Sequence, residues 1–155
     1  MGNEGGLPVA RNYEINEFLN DVDSLGRQVM NEWRVDCIVA VTRGGLAPAA
    51  WLSQSLSVKN IHTVGGFFRG DGGFQYNVRP DYSEITGNAL FVSDLCRSGR
   101  ILQRLINDSR DISQAMIPKI ACLHFSPSES CLTPVFFVHE ISPTDWIIYP
   151  WESTV

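Results

Sequence analysis

Three near-continuous apolar runs constrain this chain most: CIVAV at 37–41, ALFVS at 89–93 and KIACLHF at 119–125. None shows the strict alternation of a sheet with one wet face. CIVAV therefore reads as a strand buried on both sides, the habit of parallel sheets, ALFVS as another buried strand and KIACLHF as a further strand. Parallel neighbours need long crossovers, and the intervening segments supply helices. Ile15, Phe18, Leu19, Val22, Leu25, Val29 and Trp33 recur at helical spacing, which predicts an amphipathic helix over 14–33. LAPAAWLSQSLSV (46–58) reads as a second helix, with Pro48 in the first turn where its missing N–H is harmless. ILQRLIN (101–107) reads as a third helix, and IHTVGGFF (61–68) and PVFFVHE (134–140) as two more strands.

This alternation predicts an α/β fold, a mainly parallel sheet flanked by helices. A chain of 155 residues fits one domain, placed at 13–155, with a flexible, glycine-rich N-terminus at 1–12. The polar, glycine-rich stretch 69–88 is expected to be a hairpin or a mobile lid. The aromatic stretch WIIYPWE (146–152), interrupted by Pro150, is expected to be a packed irregular tail.

Ligands of such sheets bind at the carboxyl ends of the strands, and two turns fall there. VAVTRGGLAP puts Thr42, Arg43, Gly44 and Gly45 between a buried strand and a helix. Its glycines let backbone approach an anion, the helix start offers free N–H groups, and Arg43 can fork onto phosphate oxygens. FVSDLCRSGR puts Asp94 at a strand end, followed by Arg97, Ser98, Gly99, Arg100 and Ile101 at a helix start. The amides of that turn can cradle a phosphate, and Asp94 can accept sugar hydroxyls or hold Mg²⁺. An indole at Trp146, near the ligand edge, could stack on a planar base. Each signal has an ordinary structural explanation: a solvated turn, a capping carboxylate, a core tryptophan.

The formal net charge of −5 gives no support for bulk electrostatic binding to a nucleic acid polymer or an anionic membrane, while leaving room for a small local basic pocket. No apolar run reaches the ~18–20 residues of a membrane helix. MGNEGGLPVARN lacks a signal-peptide pattern, and Gly6 departs from a myristoylation signal. Cys37, Cys96, Cys122 and Cys131 form no CxxC pair, so buried free thiols and a cytoplasmic location are expected.

Taken together, IVAVTRGGLAPAAWLSQSLSVKNIHTV and TDWIIYPWE resemble the type I phosphoribosyltransferases, and among them the bacterial xanthine-guanine enzymes of purine salvage. The resemblance covers most of 35–152. It implies phosphoribosyl transfer from phosphoribosyl pyrophosphate to guanine, xanthine or hypoxanthine, with Mg²⁺ as cofactor if the chain is catalytic and no cofactor otherwise. It implies a pyrophosphate loop at Thr42, Arg43, Gly44 and Gly45, a flap at 66–88, and a small C-terminal purine-binding hood. There Trp146 would stack on the base and the Ile147 backbone would meet its edge. It also implies a homo-oligomer, a dimer or tetramer.

The central motif departs from that pattern. An acid pair becomes Ser93-Asp94, the Asp expected to move a proton becomes Arg97, and Thr-Gly-Gly-Thr becomes Ser98-Gly99-Arg100-Ile101. A Lys-Pro expected to contact the purine becomes Ser126-Pro127. Arginine stays protonated and cannot act as a general base near neutral pH. Two functions follow: a purine phosphoribosyltransferase with reduced or lost activity, or a noncatalytic protein that binds a purine nucleotide or another phosphorylated ligand. In the second, Arg97, Ser98, Gly99, Arg100 and Ile101 would hold phosphate.

Overall fold

The computed structural model describes residues 8–152. Strand β1 (Val9–Asn12) leads into helix α1 (Ile15–Glu32), then β2 (Cys37–Val41), α2 (Leu46–Ser55), β3 (Ile61–Phe68) and β4 (Phe74–Val78). A single helical turn at Tyr82–Glu84 precedes β5 (Gly87–Cys96), α3 (Arg100–Ile112), β6 (Met116–Phe125), β7 (Phe136–Glu140) and β8 (Asp145–Ile148). Six strands form one sheet in the order β4-β3-β2-β5-β6-β7, parallel throughout except for the β3–β4 pair. The mainly parallel α/β sheet is the one the apolar runs predict.

Burial on both faces follows from strand periodicity. Ile38, Ala40, Leu90, Val92, Ala121 and Leu123 point into one core, shared with Phe18, Val22, Leu25 and Val29 of α1 and Leu52 of α2. Cys37, Val39, Ala89, Phe91, Ile120 and Cys122 point into the other, shared with Leu102, Leu105 and Ile106 of α3. Helix α1 starts with reciprocal capping: the Glu14 N–H donates to Glu17 Oε2 at 2.9 Å, and the Glu14 side chain accepts from the third helical amide.

Several boundaries differ from the sequence expectations, among them α3 and β6, which run longer at Arg100–Ile112 and Met116–Phe125. Helix α2 stops at Ser55, short of 58, because Ser53 and Ser55 turn their hydroxyls onto the Ala50 and Leu52 carbonyls and Ser57 adopts φ +55°. Strand β5 runs through polar Ser93-Asp94 to Cys96, since Leu95 and Cys96 still pair with His124 and Phe125. Stretch 69–88, expected as a hairpin or a lid, does supply the outer strand of a β3–β4 hairpin, followed by the helical turn and anchored by buried Tyr82 and Ile85.

A further difference joins the two ends. Residues 9–12 are not loose, and 145–148 are not irregular: β1 and β8 pair in parallel, with Ala10 opposite Trp146 and Arg11 opposite Ile147. Neither segment shows a strand pattern alone, because each is completed only by the other. Residues 1–7 of the expected flexible N-terminus lie outside the described residues. The four cysteines are free, three buried and Cys131 exposed. Among the described residues, no helix is long and apolar enough to cross a membrane.

A buried polar cluster ties this small sheet to the large one. Tyr13, after β1, donates to Asp21 of α1 at 2.6 Å, and its ring meets His124 and Tyr149 edge-on. His124 Nδ1 lies 2.9 Å from the Tyr149 hydroxyl. Burial, with His139 stacked alongside, pushes the His124 pKa down from 6.5 to about 4. The unfolded chain thus binds a proton that the folded chain refuses, so this contribution is full above pH 6.5 and is lost as pH falls towards 4. The loss is on the order of 3 kcal/mol. Urea midpoints at pH 7 and pH 4.5 should therefore differ markedly in the native protein. The difference should shrink in His124→Asn, which retains a polar group facing Tyr149.

Candidate functional site

The sheet order reverses between β2 and β5: the chain leaves β2 towards β3 on one side and leaves β5 towards β6 on the other. The loops that follow these two strands part there and open a crevice, the usual ligand position in such sheets. A cavity of about 250 Å³ fills it, lined among others by Thr42, Gly44, Asp94, Arg97, Ser98, Gly99 and Ile101. Arg43, Gly45, Arg100, Trp146 and Ile147 lie outside the lining.

On the β2 side, the loop Thr42–Gly45 is a tight turn into α2. The Gly45 N–H bonds the Val41 carbonyl at 2.8 Å, and the Leu46 N–H bonds that of Arg43 at 3.0 Å. A Cβ at Gly45 would collide with the Val41 and Val92 backbones, so only glycine fits. The Thr42 hydroxyl is buried beside Gly65 with no hydrogen-bond partner among the described residues. The Arg43 side chain is exposed, and its guanidinium has no ion-pair partner among the described residues. The loop thus presents a free cation at the cavity's border.

On the β5 side, Gly99 takes φ +72°, which lets the chain turn sharply into α3. No side chain caps that helix start, so its first amides remain available to an anion. The Arg100 N–H makes only a long contact, 3.4 Å, with Ser98 Oγ. The side chain of Arg100 turns away from the turn and lies over the Phe68 ring, 4.5 Å from its centroid. Arg97 also turns aside: it donates to Glu129 at 3.0 Å and to the Pro143 and Asp145 carbonyls at 3.3 and 2.5 Å.

Asp94 lies between the two loops. Its carboxylate rests against Gly44, in the space a Cβ there would need. It accepts the Leu95 N–H at 2.7 Å and the Trp151 indole N–H at 3.3 Å, while its own carbonyl accepts from the Tyr149 hydroxyl at 3.2 Å. Burial raises its pKa, and these donors only partly offset the effect. Among the described residues, Asp94 is the only carboxylate that lines the cavity, and no three His, Cys, Asp or Glu side chains converge as metal ligands. Ser93 turns its hydroxyl to the Leu95 carbonyl at 3.2 Å. One buried, already bonded carboxylate is a poor donor set for Mg²⁺.

Trp146 sits on β8 with 59% of its surface exposed, unlike a core tryptophan, and Ile147 beside it is buried. An exposed ring on the hood strand is free to stack. Sequence reasoning missed Trp151 and Tyr149 as the partners of Asp94, although both lie in the segment that drew attention. Trp151 stacks on Tyr149 at 5.1 Å, which aims its N–H at Asp94. Glu129, the partner of Arg97, carries no signal in its local sequence.

No protein-family model matches the chain. Among curated proteins, it is 32% identical to the xanthine-guanine phosphoribosyltransferase of Gluconobacter oxydans over 123 residues, covering 75% of this chain and 68% of that protein. Its fold is similar to that of a purine phosphoribosyltransferase from Pyrococcus horikoshii, with a TM-score of 0.81 at 23% identity, covering 93% of this chain and 95% of that one. It is also similar in fold to a hypothetical protein from Neisseria gonorrhoeae with bound ppGpp, with a TM-score of 0.75 at 18% identity, covering 96% and 92%.

Gly44→Ala should crowd the Asp94 carboxylate and destabilise the fold by about 1–3 kcal/mol, the usual range for an overpacked site. Trp151→Phe removes one donor from Asp94 and should cost about 1 kcal/mol. Equilibrium urea unfolding of the two variants beside the native protein checks both.

Proposed function

The chain belongs to the xanthine-guanine phosphoribosyltransferase family of type I phosphoribosyltransferases, and on that footing we propose that it binds purine nucleotides in the β2–β5 crevice with phosphoribosyl transfer strongly reduced. In this reading, the Thr42–Gly45 loop and the Arg43 side chain receive the pyrophosphate end of phosphoribosyl pyrophosphate. The amides of 98–101 receive the 5′-phosphate, Asp94 accepts the ribose hydroxyls, and Trp146 stacks on the base while the Ile147 backbone meets its edge. The exposure of both Arg43 and Trp146 is consistent with those roles.

One observation carries the reduction in transfer. Where a proton-transferring acid would stand, Arg97 is bonded to Glu129 and to two backbone carbonyls. No other group in the cavity lining is an acid except Asp94, whose carboxylate is already engaged. A cationic sugar would develop beside this site with one carboxylate and no positioned base. Loss of a general acid–base group alone lowers rates about 10²–10⁴-fold.

A second reading, ligand binding with no transfer at all, is favoured by the fold neighbour from Neisseria gonorrhoeae with bound ppGpp. A phosphorylated purine nucleotide of that type is a reasonable probe for this chain. An exposed arginine at the crevice border and the uncapped start of α3 within it suit a ligand with more than one phosphate.

Labelled guanine, xanthine and hypoxanthine should each be incubated with phosphoribosyl pyrophosphate and Mg²⁺, with the Gluconobacter relative assayed in parallel. Turnover about 10²–10⁴-fold below the relative is expected, together with measurable calorimetric binding of GMP. Turnover equal to the relative would overturn the reduced-transfer reading, and no binding of GMP or ppGpp would overturn the site itself.

A further inference from the structure

Arg97 belongs by its backbone to the turn that lines the cavity, and by its side chain to the hood. Three of its five N–H groups are committed: one to Glu129, one to the Pro143 carbonyl and one to the Asp145 carbonyl, directly before Trp146. Other carbonyls of the turn that receives them have backbone donors. Ser142 O accepts the Asp145 N–H at 3.1 Å, and Thr144 O accepts the Val9 N–H of β1 at 2.9 Å. The Pro143 and Asp145 carbonyls have Arg97 as their donor.

The acid that holds Arg97 links a second altered position. Glu129 Oε2 accepts both the Arg97 guanidinium, at 3.0 Å, and the hydroxyl of fully buried Ser126, at 2.8 Å. The two substitutions that remove the expected proton-transfer acid and the expected purine-contacting lysine therefore meet at one carboxylate oxygen. An ion pair this exposed adds little stability by itself. Its effect is geometric, because a planar guanidinium can span three acceptors that an ammonium point charge would not hold together.

We infer that Arg97 is a positioning residue that fixes the strand carrying Trp146 to the phosphate turn, so that base recognition depends on a latch formed by Arg97, Glu129 and Ser126. This rests on reading Trp146 as the base-stacking residue and 98–101 as the phosphate turn. An acid at position 97 could not donate to the hood carbonyls and would repel Glu129. Arg97 thus orients the base site without contacting the ligand.

Calorimetry with GMP and with ribose 5-phosphate separates this from direct phosphate binding. Arg97→Gln should weaken GMP about tenfold, the size of one or two lost hydrogen bonds, and change ribose 5-phosphate less than about twofold. The GMP effect should disappear in a Trp146→Ala background, as expected for two residues acting through one contact. Arg97→Lys should fall between. Equal losses for both ligands, or a GMP effect that persists without Trp146, would overturn the inference. Amide hydrogen exchange tests the latch without any ligand: Arg97→Gln and Glu129→Gln should each speed exchange at 145–148 and leave β2 unchanged. Unchanged protection at 145–148 would overturn the latch. If the native protein binds neither ligand, the site reading fails and the exchange result alone decides the latch.

Discussion

The parallel pairing of β2 with β5 is the contact on which the rest of the molecule depends. Ile38 lies opposite Leu90 and Ala40 opposite Val92, and each strand is buried on both faces at that point. In a dry layer every backbone N–H and C=O must find a partner, and here the adjacent strands provide them. The same pairing sets the two loops side by side, since both strands end at the same edge. The crevice is therefore a by-product of satisfying the sheet, not a separate construction. What each loop carries then decides the chemistry.

The site is held by polar contacts from the C-terminal part of the chain. Tyr149 and Trp151 reach back to Asp94, and His124 ties Tyr149 to β6. These groups are costly to bury unless bonded, and nearly all of them are. The buried Thr42 hydroxyl and the outer nitrogen of His124 are exceptions. The Thr42 hydroxyl lies beside Gly65 of β3, at the foot of the turn that borders the crevice. The site thus keeps its frame while two of its charges have been turned to other uses, Arg97 to the hood and Arg100 to the face of Phe68.

The sequence made the large sheet legible because burial on both faces leaves an unbroken apolar run, as in CIVAV. It also exposed the two turns, because glycine is required where a Cβ would strike backbone, as at Gly45. The small sheet was not legible. Its strands are four residues each, and one of them is exposed along its whole length. Their pairing is a property of two distant segments, which no local pattern records. Side-chain destinations were equally hidden. Arg97 and Arg100 sit in the expected turn, but a long side chain can leave its own turn, and the acceptors at Glu129 and Pro143 are far away in sequence.

The hood's construction has a dynamic consequence. A two-stranded sheet is only marginally stable on its own, and closing β1 onto β8 spans most of the described chain. The large sheet, with six strands and a core on each face, has no such weakness. Warming or mild denaturant should therefore loosen the hood while the crevice between β2 and β5 stays formed. On the proposed reading of the crevice and of Trp146, such a state would keep the phosphate contacts and lose the base contact, so selectivity would fail before phosphate binding does.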